Sequence, residues 1–153
     1  MKKFQFTLQR LKDFREQELD RQKNALAVLQ GDLKRLEESR EELIDTVLKQ
    51  SDELVAVCSR GASATDVAVR KRYIVTLQQD IHLREQQIIR KNAEIEKQLS
   101  VVVEATKEVK TLEKLEEKQL EEYKLASGKE NEQFIEEFVS GQTIREAIAS
   151  ETR

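Results

Sequence analysis

Few residues of this chain have the types that carry chemistry, and their spacing does not assemble a catalytic set. The single histidine, His82, lies within a helical pattern with no cysteine or second histidine nearby. A lone general base at that position would lack an orienting partner and an oxyanion pocket. The single cysteine, Cys58, is predicted to be a small thiol at a helix end rather than a nucleophile.

The other patterns that could support a reaction are also missing. Adjacent glutamates such as Glu37-Glu38 and Glu116-Glu117 lie in helical sequence, where they are typical of solvated faces. No pair of glycines brackets a Lys-Ser or Lys-Thr dipeptide, as a phosphate loop requires. Cysteine and histidine do not have metal-ligand spacing. We therefore predict a protein that is not an enzyme and that has no cofactor and no metal.

Composition limits the architecture to helices. The 153 residues are 37% charged, 38% hydrophobic and 5% aromatic, with four glycines and no proline. Such a chain has too few aromatics and turn residues for a sandwich or barrel, and it is rich in strong helix formers. The net charge of −3 argues against a nucleic-acid partner. No apolar run approaches the length of a membrane span, and no signal peptide is expected.

Aliphatic residues recur at alternating steps of three and four along two stretches, which predicts two coiled-coil helices. The first stretch runs from Leu19 to Val57 and the second from Ile74 to Leu112. Between them, Gly61 can end a helix, and Ser63 with Asp66 resembles a capping box. The recurring positions of each stretch form the apolar stripe, or seam, of its helix. Polar residues interrupt both seams. They either extend the aliphatic part of their side chains along the apolar surface, fix the register or leave a face for a partner. They are Arg40, Gln50, Arg84, Lys91 and Gln98.

The predicted fold is all-α: a long antiparallel two-helix coiled coil, or α-hairpin, with a short helical C-terminal tail. Residues 1–153 are expected to form a single domain, with helix one at about 4–58, a loop at 59–65, helix two at about 66–125 and a tail at 126–153. A second break is expected at residues 126–128, and Thr143 is expected to cap a last short helix. Four aromatics lie beyond the regular apolar spacing, and they are expected either to pack between the helix ends or to anchor a partner: Phe4, Phe6, Phe134 and Phe138.

Two segments resemble the FliJ family of flagellar export proteins. The opening Lys-Phe-Gln-Phe-Thr-Leu-Gln-Arg-Leu at residues 3–11, followed by Arg-Glu-Gln-Glu at 15–18, is similar to the start of that family. Residues 111–123 resemble its Leu-Glu-Lys-Leu region, and residues 132–138 occupy the place of its acidic tail segment. The resemblance extends over nearly the whole chain.

The resemblance implies a non-catalytic stalk of the flagellar type III protein export apparatus. Its implied partners are the hexameric export ATPase ring, the export gate protein and export chaperones. The protein would be cytoplasmic and peripherally associated with the inner membrane through these partners, and it is expected to be a monomeric hairpin. The implied gate contacts are Leu43, Tyr73 and Leu77. The contacts expected at the ATPase ring are Phe6, Leu11, Phe14, Leu115, Leu120 and Tyr123.

Other functions are compatible with the same pattern. A generic coiled-coil scaffold, such as a homodimer of long parallel helices, would use the same apolar spacing. The equivalent stalk of a virulence type III secretion system would share the fold. A holdase chaperone that shields secretion substrates would use the exposed apolar flanks. A hydrolase would need a measurable turnover that depends on His82 or Cys58.

Overall fold

The computed structural model describes residues 2–152 and contains two long helices. Helix α1 is Gln9–Ser59, of 51 residues, and helix α2 is Ala64–Glu151, of 88 residues. No strand occurs within the described residues. The predicted all-α hairpin is therefore confirmed, and the seam of α1 pairs with α2 of the same chain.

The turn between the helices follows the signals of the sequence. Gly61 has φ of 85°, and its amide donates to the carbonyl oxygen of Cys58 at 3.2 Å. This is the left-handed residue that commonly ends a helix. The amide of Asp66 donates to the hydroxyl oxygen of Ser63 at 3.2 Å, which caps the start of α2. The chain therefore reverses direction within four residues.

Alanine substitutions at two glycines should change stability in opposite directions. Gly61→Ala should destabilise the fold by about 1–2 kcal/mol, because a Cβ disfavours the left-handed conformation. Gly31→Ala should stabilise it by up to about 1 kcal/mol, because Gly31 lies inside α1 and a Cβ there would meet no atom within 4 Å. Urea unfolding followed by circular dichroism measures both values. A change in the free energy of unfolding with the same sign for both variants would contradict this assignment of the turn.

The helix bounds expected from the sequence are wrong in two places. Helix α1 begins at Gln9 and not near residue 4, while α2 continues through residues 126–128 and 140–141 to Glu151. The hydroxyl of Thr143 donates to the carbonyl oxygen of Val139 at 2.9 Å, a bond made within one continuous helix. Each glycine in α2 costs about 1 kcal/mol relative to alanine, and the helix formers around it outweigh that cost. The single-domain division of the chain stays a prediction.

The contacts fall into two groups, one within residues 18–105 and one joining the residues up to 17 with those from 106 onward. In residues 18–105, every predicted seam position is buried or half-buried. The most buried large side chains there are Leu19, Leu77 and Ile88, which are 6–9% exposed. The predicted seams therefore form the apolar contact between α1 and α2 in this part of the chain.

Polar contacts between the helices of residues 18–105 establish that they are antiparallel. Arg70 Nη1 lies 3.3 Å from Glu53 Oε1, next to the turn. Farther from the turn, Arg84 Nε donates to Ser39 Oγ at 3.1 Å. The residue number on α2 rises as its partner on α1 falls. Both pairs lie on one side of the seam, because each α1 partner sits at the same position of the heptad repeat.

The polar residues of the α2 seam have specific partners on α1. Lys91 Nζ lies 3.8 Å from Asp32 Oδ2. Gln98 Nε2 donates to two oxygens of Gln22, the side-chain Oε1 at 2.7 Å and the backbone carbonyl at 3.0 Å. A slip of one heptad would place Gln98 opposite Leu29 and would remove these bonds. The polar seam residues therefore favour one register of the hairpin, while the aliphatic parts of their side chains lie along the apolar contact.

Candidate partner-binding site

The segment before α1, residues 2–8, is held against the far part of α2 by aromatic contacts. Phe6 is buried, with 6% of its surface exposed. The ring of Phe4 lies 5.5 Å from that of Tyr123, at an interplanar angle of 53°. The Tyr123 hydroxyl donates to the backbone carbonyl of Lys2 at 2.7 Å. This segment is non-helical because these contacts hold it in an irregular path before the first turn of α1.

An ion pair fastens the start of α1 to the same part of α2. Lys12 Nζ lies 2.5 Å from Glu116 Oε2, and their side chains are 17% and 29% exposed. The hydrogen bond with Glu116 raises the pKa of Lys12 above its ordinary 10.5, an effect that partial burial opposes. A second pair, Arg15 Nη1 with Glu108 Oε2 at 3.1 Å, lies closer to the middle of α2.

The Lys12 pair should make stability depend on pH in the alkaline range. Because the pKa of Lys12 is raised by folding, its contribution is fully present below the unfolded value of 10.5 and is lost as the pH rises through the folded value. The free energy of unfolding should therefore fall across this range. Glu116→Gln should flatten that fall, whereas Glu117→Gln, at the exposed neighbouring position, should not. An identical pH profile for both variants would refute the assignment.

The six residues expected at the ATPase ring all lie in the group of contacts that joins the residues up to 17 with those from 106 onward. They differ in accessibility. Phe14 is 53% exposed and Leu11 is 40% exposed. The guanidinium of Arg15 lies 5.7 Å from the centre of the Phe14 ring, on the outer surface. Phe6 is buried and holds the chain's own first segment. The three residues on α2 are half-buried: Leu115, Leu120 and Tyr123.

The three residues expected at the export gate lie in the half of residues 18–105 near the turn. Tyr73 is 47% exposed, Leu43 is half-buried, and Leu77 is 6% exposed within the seam. Tyr73 is therefore the most accessible of the three, with about half of its surface open to a partner. Leu77 supports the helix pair beneath that surface.

A large accessible apolar surface lies on α2 beyond Tyr123. The side chains of Phe134, Ile135, Phe138 and Val139 are 53–70% exposed. Packing between the helix ends, one of the two expectations for the four aromatics, agrees with the burial of Phe6 and the Phe4–Tyr123 contact but is wrong for Phe134 and Phe138. The three- and four-residue spacing of the apolar residues between Phe134 and Val139 predicts one face of a helix, and they lie on one face of α2. The acidic residues around them are Glu130, Glu132, Glu136 and Glu137.

The residues considered for catalysis lie on the surface. Cys58 is exposed near the end of α1. His82 is exposed on α2, with one ring nitrogen 3.2 Å from the side-chain amide of Gln86. Within residues 2–152, neither helix has a stretch long and apolar enough to cross a membrane.

Comparison with known proteins identifies the family of this all-helical chain. No curated protein and no solved structure matches the chain. The family described as "Flagellar FliJ protein" matches residues 4–147, which is nearly the whole chain. Its members are components of flagellar type III protein export. The chain belongs to the FliJ family, and it is a flagellar export protein.

Proposed function

We propose that this chain is a non-catalytic coupling stalk that binds the hexameric export ATPase and links it to the export gate and to export chaperones. It would act in the cytoplasm, held at the inner membrane only through these partners. The observation that carries the proposal is the distribution of accessible aromatic residues. Phe14 is exposed in the group of contacts that contains both chain ends, and Tyr73 is exposed near the turn.

The ATPase contact is assigned to Phe14 and Leu11, with the neighbouring α2 residues as support. Exposed aromatic residues are enriched among the positions that contribute most to binding. Arg15, which packs over the Phe14 ring, adds a planar donor for a carboxylate of the partner. Phe6 is removed from the set of direct contacts, because its ring is already buried against the chain itself.

The gate contact is assigned to Tyr73 and to the exposed edge of Leu43, with Leu77 as support. The buried Leu77 lies one turn after Tyr73 on α2, so the backbone that carries the tyrosine is fixed by the seam. A partner would meet the tyrosine ring and the exposed edge of Leu43. The family match favours the flagellar gate over that of a virulence system.

Coupling requires that the stalk bind some states of the ATPase ring more tightly than others. One stalk in a six-membered ring would contact its subunits unequally. The difference in affinity would then bias the ring toward particular arrangements of its subunits. The chain itself would supply surface and rigidity, and the ATPase would supply the chemistry.

The test is to add the purified full-length chain to the cognate export ATPase and, separately, to the gate domain. We expect a complex with each, together with increased hexamer formation and ATP hydrolysis by the ATPase. No complex and no change in hydrolysis would contradict the proposal. Capture of chaperone-free export substrate, without binding to either partner, would favour a holdase.

A further inference from the structure

We infer that a second apolar face near the turn binds a second copy of this chain, so that the hairpin forms a reversible two-fold dimer. This face lies outside the seam and apart from the proposed ATPase and gate contacts. We call it the side face. It consists of Ile44, Leu48, Ser51, Val55 and Cys58 on α1 and of Ala64, Ala68, Lys71, Val75 and Gln78 on α2.

The α1 part of the side face is a helical stripe next to the seam. Its residues follow one another at steps of four and three, the same spacing as the seam itself. Leu48 is 59% exposed and Val55 is 67% exposed, while Ile44 is half-buried. A helix with two adjacent apolar stripes can contact one neighbour with each. Within residues 2–152, Leu48 and Val55 of the second stripe keep most of their surface exposed.

The α2 part lies level with this stripe. Glu53 contacts Arg70, and counting five residues away from the turn on each helix places Leu48 at the same level as Val75. Val75 is 50% exposed. The Arg70–Glu53 pair lies on the opposite side of the seam. Tyr73, one turn after Arg70, belongs to that opposite side, so the side face leaves the proposed gate contact uncovered.

The charges at the two edges of the side face have opposite signs. The α1 edge carries Asp45 and Asp52, while on α2 Lys71 lies within the face and Arg72 at its edge. Asp52 is level with Lys71 by the same count from the Arg70–Glu53 contact. A surface that is acidic along one edge and basic along the other can complement a second copy of itself.

The direction of pairing follows from these edges. A two-fold axis parallel to the helices places α1 of one copy over α2 of its partner, with the turns at the same end. Leu48 then packs on Val75 of the other copy, and Asp52 lies near Lys71 and Arg72 of the other copy. The reversed arrangement would place α1 over α1, with acidic edges together. Like charges disfavour that arrangement, so the parallel dimer is the one we propose.

The first measurement is the mass of the full-length chain by sedimentation equilibrium over a range of concentrations. We expect the average mass to rise from 17.8 kDa toward twice that value. Leu48→Asp should raise the dimer dissociation constant by about a hundredfold, because the dimer contains the buried leucine twice. Leu83→Asp is the matched control, since Leu83 is 51% exposed on the other side of α2, and should leave the constant unchanged.

The second measurement tests the direction of pairing by cysteine cross-linking. In a Cys58→Ser background, one sample carries Leu48→Cys and another carries Val75→Cys. With a short thiol cross-linker, the mixture should form covalent dimers, while each variant alone should form few. Efficient cross-linking of either variant alone would overturn the parallel dimer. A mass that stays at 17.8 kDa at every concentration would overturn self-association, and the side face would then be free for a helix of another protein.

Discussion

Phe6→Ala should release the first segment of the chain from α2. Phe6 is 6% exposed, and truncation of a buried phenylalanine costs about 3–5 kcal/mol. The segment would keep the Phe4–Tyr123 ring pair and the hydrogen bonds from Tyr123 to Lys2 and from Thr7 to Gln119, which are too few to hold it. We expect the amides before Gln9 to lose protection from hydrogen exchange and the segment to become sensitive to proteases.

Phe14→Ala is the matched control for this change. Phe14 is 53% exposed, so its removal should change the free energy of unfolding by no more than about 0.5 kcal/mol. Binding to the export ATPase should nevertheless weaken by at least about tenfold if the ring anchors the partner. Unchanged ATPase binding in Phe14→Ala would move the contact elsewhere. Unchanged protease resistance in Phe6→Ala would refute the role of Phe6 as an anchor.

Leu77→Ala should be among the most destabilising substitutions near the turn. The side chain is 6% exposed in the seam, and removing a buried leucine costs about 2–5 kcal/mol. Chemical denaturation of the full-length chain, followed by circular dichroism, measures this loss. If Leu77→Ala weakens gate binding, the loss should disappear when the variant and the unmodified chain are compared under conditions in which both are fully folded.

Tyr73→Ala should behave in the opposite way. Because Tyr73 is 47% exposed, its truncation should leave stability nearly unchanged while it weakens gate binding by about tenfold or more. The same variant should bind the ATPase normally, and Phe14→Ala should bind the gate normally. If Tyr73→Ala and Phe14→Ala each weakened both interactions equally, two separate contact surfaces would be excluded.

The seam could be predicted in detail because its signal is periodic. From Leu19 to Val57 and from Ile74 to Ala105, every position expected in the contact is buried or half-buried. The turn could be predicted from Gly61 and Ser63, whose backbone requirements are local. The register, by contrast, depends on which polar residues meet across the seam. Sequence spacing alone does not pair Gln98 with Gln22.

The errors arose where local signals compete. Gly128 and Gly141 favour a break, but the residues around them favour helix strongly enough for α2 to continue. The apolar character of Phe4 and Phe6 predicts an earlier start of α1, but these residues precede Gln9 and make their contacts from irregular backbone. The expected contact sets mixed accessible and buried side chains, since helical spacing identifies an apolar residue without telling whether a neighbour already covers it.

The extension of α2 beyond Tyr123 affects how this part of the helix would bind another protein. A single helix without tertiary packing is only marginally stable in water, and the four apolar side chains between Phe134 and Val139 are 53–70% exposed. A partner that binds this face would therefore also stabilise the helix that carries it. The ordering entropy would lower the affinity for a given contact area, which gives short-lived complexes and a rapid exchange of one bound protein for the next.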